Sequence, residues 1–236
     1  MTAEQWGRLL ADHVRPAAHV LLTAPRVWVA LAVALALVAT PVWSLVRLGV
    51  TLVHELGHAF VGVAVGRQFT GFELRGDMSG AAVTRGKVRG PGRVATTWAG
   101  YPAPAVVGAA LVWLAARGWG APTLSILLLL VVVALVRVRS ALTLLVVLAV
   151  LAAGAALWWW RDDALQAQVL TGLGLVLLVG AWRHLGAVRS SRDKASDPGV
   201  LASLTHLPRV VWVGSFALVC AGSSWVAGTQ VVSLLR

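Results

Sequence analysis

The chain has 236 residues, of which 58% are hydrophobic and only 12% are charged, and its mean hydropathy is +0.82. About a quarter of the residues are charged in an ordinary soluble domain, so this composition excludes that class and indicates a protein that spans a membrane several times. A formal net charge of +11 would suggest nucleic-acid binding in a soluble protein. Here the basic residues lie between apolar runs, where they set topology and contact the lipid bilayer, so no nucleic-acid partner is expected.

The first elements along the chain are a polar N-terminal segment and two apolar runs. Residues 1–26 carry three arginines and are expected to remain in the cytoplasm. The first span is predicted over residues 28–46, with Pro41 kinking its end, and the second over residues 47–66. A cleaved signal peptide is the competing interpretation of the start of the chain, but the apolar run continues past Ala39.

A polar stretch, residues 67–93, follows the second span. It contains strand-like runs at 68–75 and 81–84 with turn residues between them, which predicts a small β-hairpin. The edge of such a hairpin can pair with an extended peptide. An ordinary loop between two helices is an equally supported alternative.

Five more spans are predicted after this stretch, at residues 94–116, 121–136, 140–160, 165–182 and 210–234. The first of the five is interrupted by Pro102 and Pro104, so its backbone must face protein or a wet cavity rather than lipid. Tyr101 precedes these prolines and is interpreted as a packed aromatic residue or as a hydrogen-bonding group in a site. The span at 121–136 is short. A polar cytoplasmic loop is predicted over residues 183–208.

The sequence therefore predicts an all-α polytopic membrane protein with about seven transmembrane helices and a possible β-hairpin between the second and third. Residues 27–236 form a single integral domain. In this arrangement sixteen of the 20 Lys and Arg residues lie on one side, and the other side has Arg47, Arg117, Arg161 and Arg236. Because cytoplasmic loops are enriched in basic residues, we expect a multi-pass cell-membrane protein with the N-terminus in the cytoplasm and the C-terminus outside.

The second predicted span contains an H-E-x-x-H motif formed by His54, Glu55 and His58. At about 100° per residue, the three side chains fall within a sector of about 100° on one helix. Two imidazoles four residues apart can hold one zinc ion, and a glutamate beside them can take a proton from water. Ionisable residues inside a membrane segment are costly unless they are functional. The motif therefore predicts a Zn²⁺ site with His54 and His58 as ligands and Glu55 as the catalytic base.

A catalytic zinc ion usually has three protein ligands, so one ligand remains to be found. The candidates on the same side of the membrane are Glu73, Asp77, Asp193, Asp197, His184 and His206. Asp197 is preferred because the short apolar run after it can carry its carboxylate toward the histidines. Its alternative role is that of a helix cap, since Asp followed by Pro is a common helix start. Spacing alone supports the two roles equally.

Residues 51–104, which include VHELGHAF and AGYPAP, resemble the site-2 protease family of intramembrane zinc metalloproteases, in particular a compact and divergent bacterial branch. The resemblance is faint elsewhere in the chain. It implies a buried zinc ion held by His54, His58 and an aspartate from a later span, with Glu55 as the base. It also implies a membrane-protein substrate that is cut in or near a transmembrane segment.

The chain departs from the better-known branches of this family in three ways. It lacks their Leu-Asp-Gly motif, although Ser-Asp-Pro-Gly at residues 196–199 occupies a comparable position and looks like the variant of the compact branch, which makes Asp197 the third ligand. It also lacks the asparagine that follows Gly-Pro on the span after the hairpin, and its loops are too short for a PDZ-like insertion. A catalytically silent membrane scaffold or regulator with the same fold is therefore the alternative function. Neither interpretation specifies an oligomeric state.

Overall fold

The structure is a computed structural model that describes residues 2–18, 22–77, 79–191 and 193–236; parts of the predicted N-terminal segment (1 and 19–21) and of the predicted loop (192) lie outside this description. The described residues are 75% helical and contain one two-stranded antiparallel hairpin. This confirms the predicted all-α polytopic class with a small hairpin. The elements in chain order are α1 (Ala3–Val14), α2 (Ala24–Ala39), α3 (Trp43–Ala64), β1 (Gln68–Leu74), β2 (Gly80–Arg85), α4 (Pro91–Trp98), α5 (Pro102–Ala116), α6 (Gly120–Leu135), α7 (Ala141–Trp159), α8 (Asp163–Ser190), α9 (Asp197–Thr205) and α10 (Arg209–Leu235).

α2 and α3 form one sharply bent pair with an angle of 102° between them. The break contains Pro41, which lacks an N–H group and disfavours the helical conformation of the residue before it. Arg183 of α8 stabilises the bend from both sides. Its Nη1 donates a hydrogen bond to the carbonyl oxygen of Val38 at 2.8 Å, and its guanidinium lies 4.5 Å from the ring centre of Trp43. The first apolar helix therefore ends before Pro41, where the sequence predicted a kinked helix that continued to residue 46.

The N-terminal helix lies at the same end of the molecule as the α5–α6 and α7–α8 connections. The Ala17 N–H donates to the Gly118 carbonyl at 2.8 Å, and Arg161 Nη2 donates to the Arg15 carbonyl at 3.1 Å. The predicted topology placed residues 1–26 across the membrane from Arg161, which is not compatible with these contacts. The error arose because counting basic residues cannot detect contacts between distant segments.

The same contacts change the number of crossings. α2 starts at this end and α3 ends at the hairpin, so the bent pair is counted as one broken span where the sequence predicted two. Among the described residues, α7, α8 and α10 are each long and apolar enough to cross a membrane, and the bent pairs α2–α3 and α4–α5 raise the number to five. α6 is a shorter apolar helix. The count of about seven is therefore larger than the number that length and composition support.

The predicted β-hairpin is present, and its first strand is covered on both edges. β1 pairs with β2 in antiparallel register from Gln68–Arg85 to Leu74–Gly80. On its other edge, the N–H and carbonyl of Phe72 bond to the backbone of the α6–α7 connection, each at 3.1 Å. The sheet thus continues from β1 to the α6–α7 connection, and the outer edge of β2 has no neighbouring strand among the described residues.

The region predicted as a polar loop over residues 183–208 is mostly helical. α8 continues to Ser190, and α9 occupies Asp197–Thr205, which leaves only the short connections 191–196 and 206–208. Polarity suggested a loop, but Arg183 lies within α8 and its side chain bonds to α2. The helical structure of this region matters for the candidate site, because α9 follows α8 after only the short connection 191–196.

α5 and α8 approach each other closely through two glycines. A Cβ atom on Gly108 would lie 2.5 Å from the carbonyl oxygen of Gly174, and a Cβ on Gly174 would lie 2.5 Å from the carbonyl oxygen of Gly108. Small residues allow membrane helices to pack with their backbones in contact. This packing fixes the start of α5, which contacts the candidate site, against the helix that precedes α9.

Candidate metal centre

The H-E-x-x-H residues lie near the middle of α3, where the α4–α5 break packs closely against that helix. A Cβ on Gly57 would lie 2.9 Å from the carbonyl oxygen of Ala99, so the residue directly before the second histidine must be small. Glu55 is 5% exposed, and the side chains of His54 and His58 are 13% and 12% exposed. One helix therefore presents two imidazoles and a carboxylate to a largely buried space.

The side chains of His54, His58 and Asp197 converge in this space. Asp197 Oδ2 lies 3.3 Å from His54 Nε2 and 3.2 Å from His58 Nε2, and the two Nε2 atoms are 3.2 Å apart. Zinc binds its ligand atoms at about 2.0–2.1 Å in a tetrahedron, so two such atoms lie about 3.3 Å apart. The three atoms therefore have the spacing of three corners of a zinc tetrahedron, and they are the one such His/Cys/Asp/Glu group found in the described residues.

The ring of His58 is oriented by a hydrogen bond from its other nitrogen. Its Nδ1 donates to the carbonyl oxygen of Thr96 on α4 at 2.7 Å. A proton held on Nδ1 leaves the lone pair of Nε2 free, which is the tautomer that a metal ligand requires. Thr96 is itself anchored, because its hydroxyl donates to the carbonyl of Gly92 at 2.7 Å. This contact was not predicted from the sequence, where a threonine 38 residues after the histidine carries no signal.

Asp197 reaches the histidines from the first turn of α9. The N-cap position belongs to Ser196, and Asp197 Oδ2 is buried without a conventional hydrogen-bond partner among the described residues. The helix-cap role that the sequence allowed for Asp197 is therefore not what the structure shows. The turn before it is tight, since a Cβ on Gly199 would lie 2.6 Å from the carbonyl oxygen of Lys194. A buried carboxylate oxygen facing two imidazoles fits the chemistry of a cation site.

The α4–α5 break covers another side of the converging atoms. A Cβ on Gly100 would lie 2.6 Å from His54 Nε2 and even closer to His58 Nε2. Any side chain at this position would fill the space between the two nitrogens, so the site requires glycine here. Tyr101 packs its ring edge-on against His54, with 4.9 Å between the ring centres, and stacks on Phe216. The Gly-Tyr-Pro interruption was visible in the sequence, but the role of Gly100 was not.

Glu55 lies against the hairpin. A Cβ on Gly80, the first residue of β2, would lie 2.7 Å from Glu55 Oε1 and 2.9 Å from the Thr51 methyl carbon. The start of β2 therefore passes directly beside the carboxylate, and the unpaired edge of the strand is next to the site. Sequence reasoning placed Gly80 in a turn without a reason to connect it to Glu55.

The other candidate ligands lie outside the group of three. Glu73 bonds to an arginine two residues later, and Asp193 accepts a hydrogen bond from a backbone N–H of its own turn. Asp77 is on the surface, and hydrogen bonds from the serine two residues later lower the pKa of its carboxyl. His206 is exposed at the C-cap of α9. His184 is the nearest, with its ring centre 6.4 Å from that of His54.

Comparison with known proteins identifies the family to which the chain belongs. The family model described as Peptidase M50B-like matches residues 27–227, a range that includes the hairpin, α9 and most of α10. A search of curated proteins and a search of solved structures each returned no match. The matched range covers most of the chain, and the resemblance seen in the sequence is to the same group of enzymes. The protein therefore belongs to the Peptidase M50B-like family, within the site-2 protease-like intramembrane metallopeptidases.

Proposed function

We propose that this protein is an intramembrane zinc endopeptidase that hydrolyses peptide bonds in or next to transmembrane segments of other membrane proteins. The observation that carries the proposal is the triangle of His54 Nε2, His58 Nε2 and Asp197 Oδ2, with sides of 3.2–3.3 Å, beside the buried Glu55. Membership of a metallopeptidase family supports it. The proposal adds two properties to that membership, catalytic activity and a bound zinc ion.

His54, His58 and Asp197 would hold the Zn²⁺. Two neutral imidazoles and one carboxylate are a donor set that zinc accepts, and three protein ligands leave one coordination position open. When bound, zinc supplies a Lewis acid that polarises a carbonyl group and lowers the pKa of water. The absence of a side chain at Gly100 keeps the space between the two ring nitrogens clear for such an ion.

Glu55 is the proposed general base. Its carboxylate takes a proton from the attacking water as the C–O bond forms, and it then delivers a proton to the amine nitrogen as the C–N bond breaks. The products are a carboxylate and an amine. Glu55 follows His54 directly in the chain and points into the same buried space, so its side chain is positioned by α3 rather than by a loop.

The proposed substrate is a membrane protein whose helix unwinds locally, because a hydrogen-bonded helix hides its scissile carbonyl groups. The unpaired outer edge of β2 gives such a segment a place to bind in extended form, by main-chain hydrogen bonds to the strand. Gly80 at the start of that strand adjoins Glu55. A segment paired with β2 would therefore pass close to the proposed base.

The test is Glu55→Gln, which keeps the size of the side chain and removes the base. Membranes from cells expressing the wild type are compared with membranes from cells expressing the variant, by proteomic detection of truncated membrane proteins. We expect cleavage products only with the wild type, and about one zinc per chain in both purified proteins. Glu73→Gln, at a half-buried carboxylate of the hairpin that bonds to Arg75, is the matched control and should cleave normally. Identical fragment patterns for wild type and Glu55→Gln would support the silent scaffold instead.

A further inference from the structure

Two buried ring nitrogens, Nδ1 of His54 and Nε2 of His184, have no hydrogen-bond partner among the described residues. Buried polar atoms are bonded in the large majority of cases, so each exception calls for an explanation. Six side-chain atoms in the described part of the chain are unpartnered in this way, and they also include Asp197 Oδ2, which faces His54. Three of the exceptions therefore belong to His54 and its neighbours.

α3 and α8 bring the two rings together. His184 comes from α8, and its ring stands at 69° to the His54 ring with 6.4 Å between the ring centres.

The distance between the rings excludes a direct hydrogen bond. Two imidazoles joined by an N–H···N bond of about 3 Å would have their ring centres about 5 Å apart. The observed 6.4 Å leaves space for one small bridging group. Buried water molecules make about two to four hydrogen bonds to groups that would otherwise be unsatisfied, and the two ring nitrogens supply two such groups.

We infer that one buried water molecule bridges His54 and His184 and orients His54 for metal binding, which makes His184 a positioning residue. The water accepts a hydrogen bond from His54 Nδ1–H, and it donates one to His184 Nε2. This arrangement keeps the proton of His54 on Nδ1 and the lone pair of Nε2 free. His58 receives the same support directly from the Thr96 carbonyl. The inference rests on the proposed function, in which His54 is a metal ligand.

The experiment measures zinc affinity by competition with a chelator, on purified full-length protein in detergent. His184→Ala removes the acceptor of the bridging water and should weaken zinc binding roughly 10- to 100-fold, the effect seen when outer-shell partners of metal ligands are lost. His184→Gln, whose amide oxygen can accept the same hydrogen bond, should recover most of the affinity. His206→Ala, an exposed histidine at the end of α9, is the matched control and should bind zinc like the wild type.

Thermal unfolding of the metal-free proteins separates positioning from folding. We expect the metal-free His184→Ala and His184→Gln variants to unfold together while their zinc affinities differ. Zinc affinity in His184→Ala equal to that of the wild type would overturn the inference, and so would an equal loss in the Ala and Gln variants. If the wild type itself bound no zinc, the proposed function would fall and this inference with it. A wild type that binds zinc with an unaffected His184→Ala variant would reject the inference alone.

Discussion

α3 supplies two of the three converging atoms and α9 supplies the third, but the two helices reach the centre by different means. His54 and His58 are set one helical turn apart by the backbone of a single helix, with Glu55 between them. Asp197 arrives from 139 residues further along the chain, at the start of a helix of 9 residues. Local geometry fixes the first pair, whereas tertiary packing fixes the aspartate. The position of Asp197 therefore depends on contacts far from the metal ligands, whereas that of the two histidines does not.

The strongest test of the α3 half is removal of either imidazole. His54→Ala and His58→Ala each leave only two of the three converging atoms, which is fewer than a catalytic zinc ion normally retains. We expect the purified wild type to carry about one zinc per chain and each variant to carry almost none. Metal analysis after dialysis gives the answer. Stoichiometric zinc in the double variant would show that the ion binds elsewhere.

The corresponding test of the α9 half is Asp197→Ala with Asp193→Ala as its control, four residues earlier. Loss of Asp197 should weaken zinc binding strongly and abolish proteolysis, because its Oδ2 lies 3.2–3.3 Å from both ring nitrogens. Loss of Asp193 should do neither, since that carboxylate only accepts a hydrogen bond within its own turn. A zinc titration of the two variants separates them. If Asp197 acted only as a helix cap, its loss would cost about 0.5–2 kcal/mol of stability and leave zinc in place.

The difference between the halves also explains what the sequence could predict. The H-E-x-x-H motif and the hairpin are local patterns, so residue spacing and turn residues were sufficient to find them. Asp197 was selected from several acidic residues only by the apolar run after it and by the family resemblance. Gly100 and Thr96 could not be selected, because their roles depend on how α4 and α5 pack against α3. Spacing along the chain contains no information on such contacts.

The error in topology has the same origin. Hydropathy reports where the chain is apolar, but it does not distinguish a helix that bends by 102° from two separate crossings. The position of the N-terminal helix follows from contacts such as that between Arg161 and Arg15, which join segments 146 residues apart. With the α2–α3 pair as one crossing, the most basic connections still lie at the hairpin end.

Gly100→Ala tests whether the two halves share one confined space. The added methyl group would stand between the imidazole nitrogens, 2.6 Å from His54 Nε2, so the rings or the α4–α5 break must shift. We expect zinc affinity to fall while the metal-free protein unfolds at nearly the same temperature. Gly222→Ala is the control, because a Cβ on that residue of α10 meets no atom within 4 Å. Normal zinc binding by Gly100→Ala would mean that the space is wider than the structure indicates.

The smallest expected effect comes from Arg209, whose hydrogen bonds hold the turn before α9 in place. Arg209 donates one hydrogen bond to the Val188 carbonyl at 2.7 Å and another to the Asp193 carbonyl at 3.2 Å, and so it joins the end of α8 to the turn that leads to Asp197. A hydrogen bond to a charged group contributes about 1.5–3 kcal/mol, and partial exposure reduces that value. Arg209→Met should therefore lower the free energy of unfolding by about 1–3 kcal/mol.

Zinc affinity should fall with it, because Asp197 loses part of the framework that holds it in place, whereas the two histidines keep theirs. Arg209→Lys should restore little, since one ammonium group does not reproduce the fork of a guanidinium that reaches two carbonyls. Arg189→Met, an exposed arginine in the last turn of α8, is the matched control and should leave both quantities unchanged. Chemical denaturation and zinc titration of the three variants measure the two effects separately. If stability fell and zinc affinity did not, α9 would hold Asp197 in position without Arg209, and the α9 half would be as locally determined as the α3 half.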